Sequence, residues 1–183
     1  MRFYTIGLVE FNSIAKGIEA ADAMVKAAQV EIVFSRPVCP GKYVVLVSGD
    51  VAAVKDSVKK GIELGEGTVV DNFVIPNVHP NVLSAITAAY EPHEVDALGV
   101  IETFSIAAAI VAADTAVKAG EVELIEVRLG MGIGGKSFVT LTGEVSAVKT
   151  AVEAGSSGAA AKGFLVNKVV IPSPHAELIK SIM

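Results

Sequence analysis

The chain has 183 residues, a formal net charge of −5, 52% apolar and 19% charged residues, and no tryptophan. It is too apolar for disorder, and without a basic stripe interleaved with stacking rings it is a poor nucleic-acid binder. The longest apolar run, Ile106 to Ala113, is far too short to span a membrane, and a lone cysteine excludes an internal disulfide framework and fits a reducing cytoplasm. Met1 to Thr5 leads straight into strand-like sequence, with no charged leader or cleavage site.

Tyr4 to Phe11 is an apolar, β-branched run that predicts a strand. Ser13 is placed to cap a helix in which Ile14, Ile18, Ala21, Val25 and Ala28 share one face. Val30 to Phe34 and Tyr43 to Val47 read as strands, separated by Pro37-Val38-Cys39-Pro40-Gly41, which reads as irregular structure. Asp50 is expected to cap a second helix carrying Val51, Val54 and Val58 and ending near Gly61 or Gly65. A strand over Thr68 to Ile75 precedes Pro76 and a short helix from Asn81 to Ala88.

The same order then recurs. Ile6 to Arg36 aligns with Leu98 to Arg128 at an offset of 92, with 15 of 31 positions identical. Gly41 to Val58 matches Gly135 to Val152 at 94, with 9 of 18 identical, and Val74-Ile75-Pro76 and His79 match Val170-Ile171-Pro172 and His175 at 96. This is a duplication. The fold class is α+β: two tandem β-α-β-β-α-β, ferredoxin-like units, spanning 1–92 and 93–183 with the linker at Glu91 to Asp96. Units of about 90 residues bury only roughly 60–65% of their surface and are marginal alone. With so few charges, obligate assembly is expected.

Among motifs, Gly130-Met131-Gly132-Ile133-Gly134-Gly135-Lys136-Ser137 satisfies the phosphate-loop pattern G-x-x-x-x-G-K-[ST]. That loop needs a following helix to hold phosphates, whereas Ser137 to Thr142 reads as a strand, and the first copy has Cys39-Pro40-Gly41-Lys42 instead. The match is read as a glycine-lined turn. Cys39 is either an inert buried thiol or, given its prolines and glycine, a displayed one. One thiolate cannot hold zinc or an iron–sulfur cluster, but a three-fold axis would gather three. His79 and His175 are read as helix-start hydrogen-bonding groups, and Glu10 and Glu102, at equivalent strand ends, as structural. No catalytic residue is identified.

Gly7-Leu8-Val9-Glu10 with Ile18 to Ala28, and Leu98 to Glu102 with Ala112 to Gly120, resemble the signature of bacterial microcompartment shell domains over nearly the whole chain. The resemblance implies a non-enzymatic shell protein. It implies a pseudo-hexameric homotrimer that tiles with hexameric shell proteins into facets, located in the microcompartment shell in the cytoplasm. The loop Ser35 to Lys42 is similar to the pore loop of the propanediol-utilisation T-type members, and the second-copy loop Met131 to Lys136 is similar to its counterpart there. That likeness implies that Val38, Cys39, Pro40, Gly41, Gly132, Ile133 and Gly134 line a central pore. It further implies that three Cys39 thiolates ligate one [4Fe–4S] cluster, serving electron transfer or cluster delivery, with a redox enzyme in the lumen as a partner. Lys26 and Lys118 match the family's shell-edge lysine. A cluster-free pore for small polar metabolites, and a soluble ligand-binding ferredoxin-like protein, are the alternatives.

Overall fold

A computed structural model describes residues 5–87 and 95–182. The division expected at residues 92 and 93 lies outside the described residues, as does His93.

Each copy forms a four-stranded antiparallel sheet. The first runs in the order β2-β3-β1-β4, with β1 at Thr5–Phe11, β2 at Val30–Val38, β3 at Lys42–Gly49 and β4 at Val69–Pro76. Its helices are α1 (Ile14–Ala27) and α2 (Val51–Gly65), with a 3-10 turn at Glu66–Thr68. The second sheet has the same order, β6-β7-β5-β8, from Ala97–Thr103 (β5), Glu123–Leu129 (β6), Ser137–Gly143 (β7) and Leu165–Pro172 (β8). Its helices are α4 (Ile106–Ala119) and α5 (Val145–Ala161), while α3 (Pro80–Ile86) and α6 (Ala176–Ile182) close the two copies. This is the expected split β-α-β topology, twice.

The chain condenses into two compact units that do not follow the sequence halves strictly. Ser105–Ala107 and Gly130–Gly135 belong with residues up to Val78 in the first unit, and the second takes the remainder from His79 onward. Helix α3, although encoded by the first copy, therefore sits in the second unit, where it packs on β6.

The core of the first unit is built from Val9, Phe11, Ala20, Met24, Val45, Val54 and their neighbours. Here one expectation is corrected. The apolar face expected on α1 was that of Ile14, Ile18, Ala21, Val25 and Ala28; the buried residues are Gly17, Ala20, Ala21 and Met24, so only Ala21 is shared and both isoleucines are exposed. The reason is closeness. A Cβ on Gly17 would stand 2.6 Å from the Tyr43 ring, so the helix presents its smallest residues to the sheet. Ser13 caps α1 as expected, its Oγ accepting from the Lys16 N–H at 3.3 Å. Asp50 occupies the N-cap of α2, but its side chain makes no capping bond. That helix runs through Gly61 to Gly65.

Strand β2 also runs further than expected, through Pro37 to Val38. Proline has no N–H for a ladder, but β2 is an edge strand with only β3 beside it, so Pro37 costs no inner hydrogen bond. The helix expected over Asn81 to Ala88 starts at Pro80, and Ala88 lies outside the described residues.

Candidate functional site

The loop after β2 is short and tightly held. Gly41 donates its N–H to the Val38 carbonyl at 3.0 Å and has φ +97°, a left-handed conformation suited to glycine. Cys39 donates its N–H to the Gly130 carbonyl, also at 3.0 Å, and its thiol is free and exposed. Val38 is buried and anchors the loop from beneath, with its side chain against Gly130. The inert buried thiol is thereby excluded in this chain: Cys39 is displayed at the loop tip.

The glycine-rich segment lies against this loop. Gly130, Gly132, Gly134 and Gly135 all have positive φ. At Gly135 a Cβ would fall 2.4 Å from Cδ of Pro40 and 2.8 Å from the Cys39 carbonyl oxygen, so only glycine lets the two loops touch. Gly132 and Gly134 are exposed, with open space where a Cβ would be, and Ile133 is half-buried. Ile14, Pro37, Val38, Cys39, Pro40, Met131 and Gly132 line a shallow apolar hollow beside the thiol. The structure thus brings together, in the first unit, all the residues expected around a pore: Val38, Cys39, Pro40, Gly41, Gly132, Ile133 and Gly134.

The phosphate-loop pattern fails on geometry, as expected. Strand β7 begins at Ser137, so a strand and not a helix follows the loop, and Lys136 points its ammonium at Glu102, 2.8 Å away. Among the described residues, no group of three or more His, Cys, Asp or Glu could hold a metal ion.

The carboxylates at the strand ends do structural work that spacing alone did not reveal. Glu10 is fully buried. Its Oε1 accepts from Lys42 Nζ at 2.8 Å. Its Oε2 accepts from the N–H groups of Ile106 and Ala107 at 2.9 and 3.3 Å and lies 3.0 Å from Ser105 Oγ. Glu10 thus caps α4 from 96 residues away in sequence, and its negative charge suits the positive end of that helix. Asp71, paired with Glu10 across β1 and β4, accepts from the same Ser105 hydroxyl at 2.8 Å. In the second copy Glu102 keeps the lysine partner, Lys136, but faces Asn167 where Glu10 faces Asp71.

The histidines open helices as expected. Nδ1 of His79 accepts from the Asn81 N–H at 3.3 Å, and Nδ1 of His175 from the Glu177 N–H at 3.2 Å. His79 also donates its own N–H to Asp114 Oδ1 at 2.8 Å. Lys26 and Lys118 lie in the last turns of α1 and α4, each 2.6 Å from an aspartate one turn back, Asp22 and Asp114.

The BMC domain model matches residues 5–78 and again 97–174, one match per copy. The chain is 44% identical over 178 residues to the bacterial microcompartment shell protein PduT of Citrobacter freundii, covering 97% of each. It is 43% identical over 84 residues to the microcompartment shell protein EutM of Salmonella typhimurium, covering 45% of this chain and 84% of that one. A crystal structure of a microcompartment protein from Desulfitobacterium hafniense superposes with a TM-score of 0.84 at 62% identity, covering 96% of this chain and 98% of that one. Two BMC domains in one chain, both built on the topology described above, make this protein a tandem-domain member of the BMC family of bacterial microcompartment shell proteins.

Proposed function

We propose that this shell protein forms a homotrimeric facet tile whose three Cys39 loops converge on a central pore and together ligate one [4Fe–4S] cluster. The observation that carries the reading is the display of the thiol. The chain's single cysteine is exposed at the tip of a loop pinned by the Gly130 carbonyl and by contact with Gly135, and among the described residues it belongs to no group of three or more His, Cys, Asp or Glu that could hold a metal ion. A thiol held so firmly and so incompletely is completed by symmetry mates. Iron–sulfur clusters ordinarily take four thiolates; three Cys39 and one further ligand make up that number. Once bound, such a group supplies one-electron chemistry at the shell wall, with its potential set by hydrogen bonds to sulfur and by exposure. The protein's own part is to fix the thiols and to close the opening with backbone rather than bulky side chains.

Lys26 and Lys118 are assigned to the tile edge, where they meet neighbouring tiles, hexameric shell proteins among them. A redox enzyme inside the shell is the natural electron partner of a loaded pore. Without a cluster, the exposed backbone of Gly132 and Gly134 favours a second reading, a pore for small polar metabolites.

The test is anaerobic purification followed by iron and acid-labile sulfide analysis and electron paramagnetic resonance before and after reduction. About four irons per three chains, absent from Cys39→Ser while the assembly persists, is the expected result. No iron after anaerobic reconstitution leaves the metabolite pore, and a protein that never assembles would instead be a soluble ligand-binding domain.

A further inference from the structure

Cys39 sits between two supports, and both lead to the same buried carboxylate. The first is Lys42. It opens β3 directly across from Val38, the last residue of β2, so the two close the base of the turn that carries the thiol. A lysine beside a loop ordinarily extends into water. The Lys42 side chain is instead only 17% exposed and lays its ammonium on Glu10 Oε1 at 2.8 Å. The second support is Gly130, whose carbonyl accepts the Cys39 N–H at 3.0 Å. Gly130 rests in turn on Ile106, since a Cβ at Gly130 would stand 2.9 Å from Ile106 Cδ1. Ile106 is fully buried and donates its N–H to Glu10 Oε2 at 2.9 Å.

Glu10 therefore bears on the turn from both sides, and all of these residues belong to the first unit. Oε1 acts through a side chain three residues after the cysteine; Oε2 acts through the start of α4 and the glycine loop seated on it. Capping α4 accounts for Oε2 alone. The ion pair on Oε1 adds nothing to that cap. What it fixes is the residue next to Gly41, the conformationally permissive link of the turn, with φ +97°.

We propose that Glu10 is the positioning residue of Cys39, holding the thiol in place through Lys42 on one side and through Ile106 and Gly130 on the other. What the held thiol is for rests on the cluster reading above, while the positioning stands on contacts within one chain. Groups behind a metal ligand typically govern affinity by about 10–100-fold, because a ligand works only when held within about 0.5 Å of its productive place.

A nitroxide label on Cys39, the only cysteine in the chain, reports the freedom of the turn without any iron. Continuous-wave electron paramagnetic resonance of sparsely labelled protein is expected to show a restricted label in the wild type. In Glu10→Gln the label is expected to be mobile, because one amide oxygen cannot serve both Lys42 and the helix. Lys42→Met cuts the first support and leaves the cap on α4 in place; it too is expected to free the label, so the test does not depend on Glu10→Gln folding. Gly7→Ala is the control. Its Cβ would stand 2.5 Å from Val58, three residues back along β1 and on the other face of the sheet, so it strains the core without touching the turn and is expected to leave the label restricted. In unlabelled protein reconstituted anaerobically, both test variants are expected to bind iron about 10–100-fold more weakly than the wild type. A wild-type label spectrum in either test variant overturns the proposal, as does unchanged iron affinity, or a Gly7→Ala label that is just as mobile. A wild type that takes up no iron, with the labels behaving as expected, upholds the positioning and removes the cluster.

Discussion

Replacing Glu10 by alanine removes one carboxylate and breaks two arrangements together. The α4 N-terminus loses the acceptor for Ile106 and Ala107 N–H, worth about 1–2 kcal/mol as a lost cap. Lys42, whose side chain is 17% exposed, loses its 2.8 Å partner, and removing one member of a buried pair costs about 3–5 kcal/mol. The two costs overlap because the same group supplies both, and Lys42 retains some access to water. A total of about 3–5 kcal/mol is expected, or a melting temperature lower by roughly 10 °C for a chain of this length. Urea denaturation should be followed at fixed chain concentration, since assembly adds stability by mass action. The control is Glu102→Ala at the same chain concentration. Its ion pair with Lys136 is partly exposed on both sides, and about 1 kcal/mol or less is expected. A Glu10→Ala loss below about 1 kcal/mol would refute the assignment of Glu10 as the long-range cap of α4.

Gly17→Ala should destabilise by about 1–3 kcal/mol, since its Cβ would stand 2.6 Å from Tyr43, whereas Gly158→Ala, in open space on α5, should stabilise by up to about 1 kcal/mol; thermal denaturation of both separates packing from propensity. Gly135→Ala should strip iron from an anaerobically reconstituted protein as Cys39→Ser does, because it displaces Pro40 and the Cys39 carbonyl, and iron analysis decides it. Lys26→Asp should leave folding intact and disturb sheet formation between tiles, as seen by electron microscopy of assembled material. Glu144 caps α5, and the Ser146 hydroxyl, followed by the Ser146 N–H, holds its carboxyl below the usual carboxylate range. Its capping contribution is therefore present above the unfolded-state value and disappears as pH falls through the lower folded-state value. Amide exchange at Ser146 and Ala147 should accelerate over that acid range in the wild type and show no such dependence in Glu144→Gln.

The duplication made the architecture readable twice, so strand order, helix positions and the Ser13 cap could be written down from residues alone. The α1 face could not. Ile14 and Ile18 carry the hydropathy that periodicity detects, while Gly17, Ala20 and Ala21, which touch the sheet, carry little of it. Periodicity reports an apolar stripe without saying whether its partner lies in the same chain. The exposure of Cys39 was legible in Pro40 and Gly41, which mark a tight turn after it, although Pro37 did not end β2 as expected. The role of Glu10 was hidden for a different reason: its acceptor geometry joins positions 96 residues apart, visible only after β1 and the start of α4 come together. The recurrence of Glu10 as Glu102 marked it as important without naming its task.

The glycines at the helix–sheet contacts bear on what these units can be used for. Gly7 stands against Val54 and Val58, Gly17 against Tyr43, and Gly61 against Met24, so in the first unit helix backbone and sheet backbone approach closely. A layer pair built this way spends few atoms on thickness and spreads its mass sideways, giving more covered area per residue than a core filled with leucine and phenylalanine. Thinness is a property of a good panel, and it is set here by the smallest residue in the alphabet.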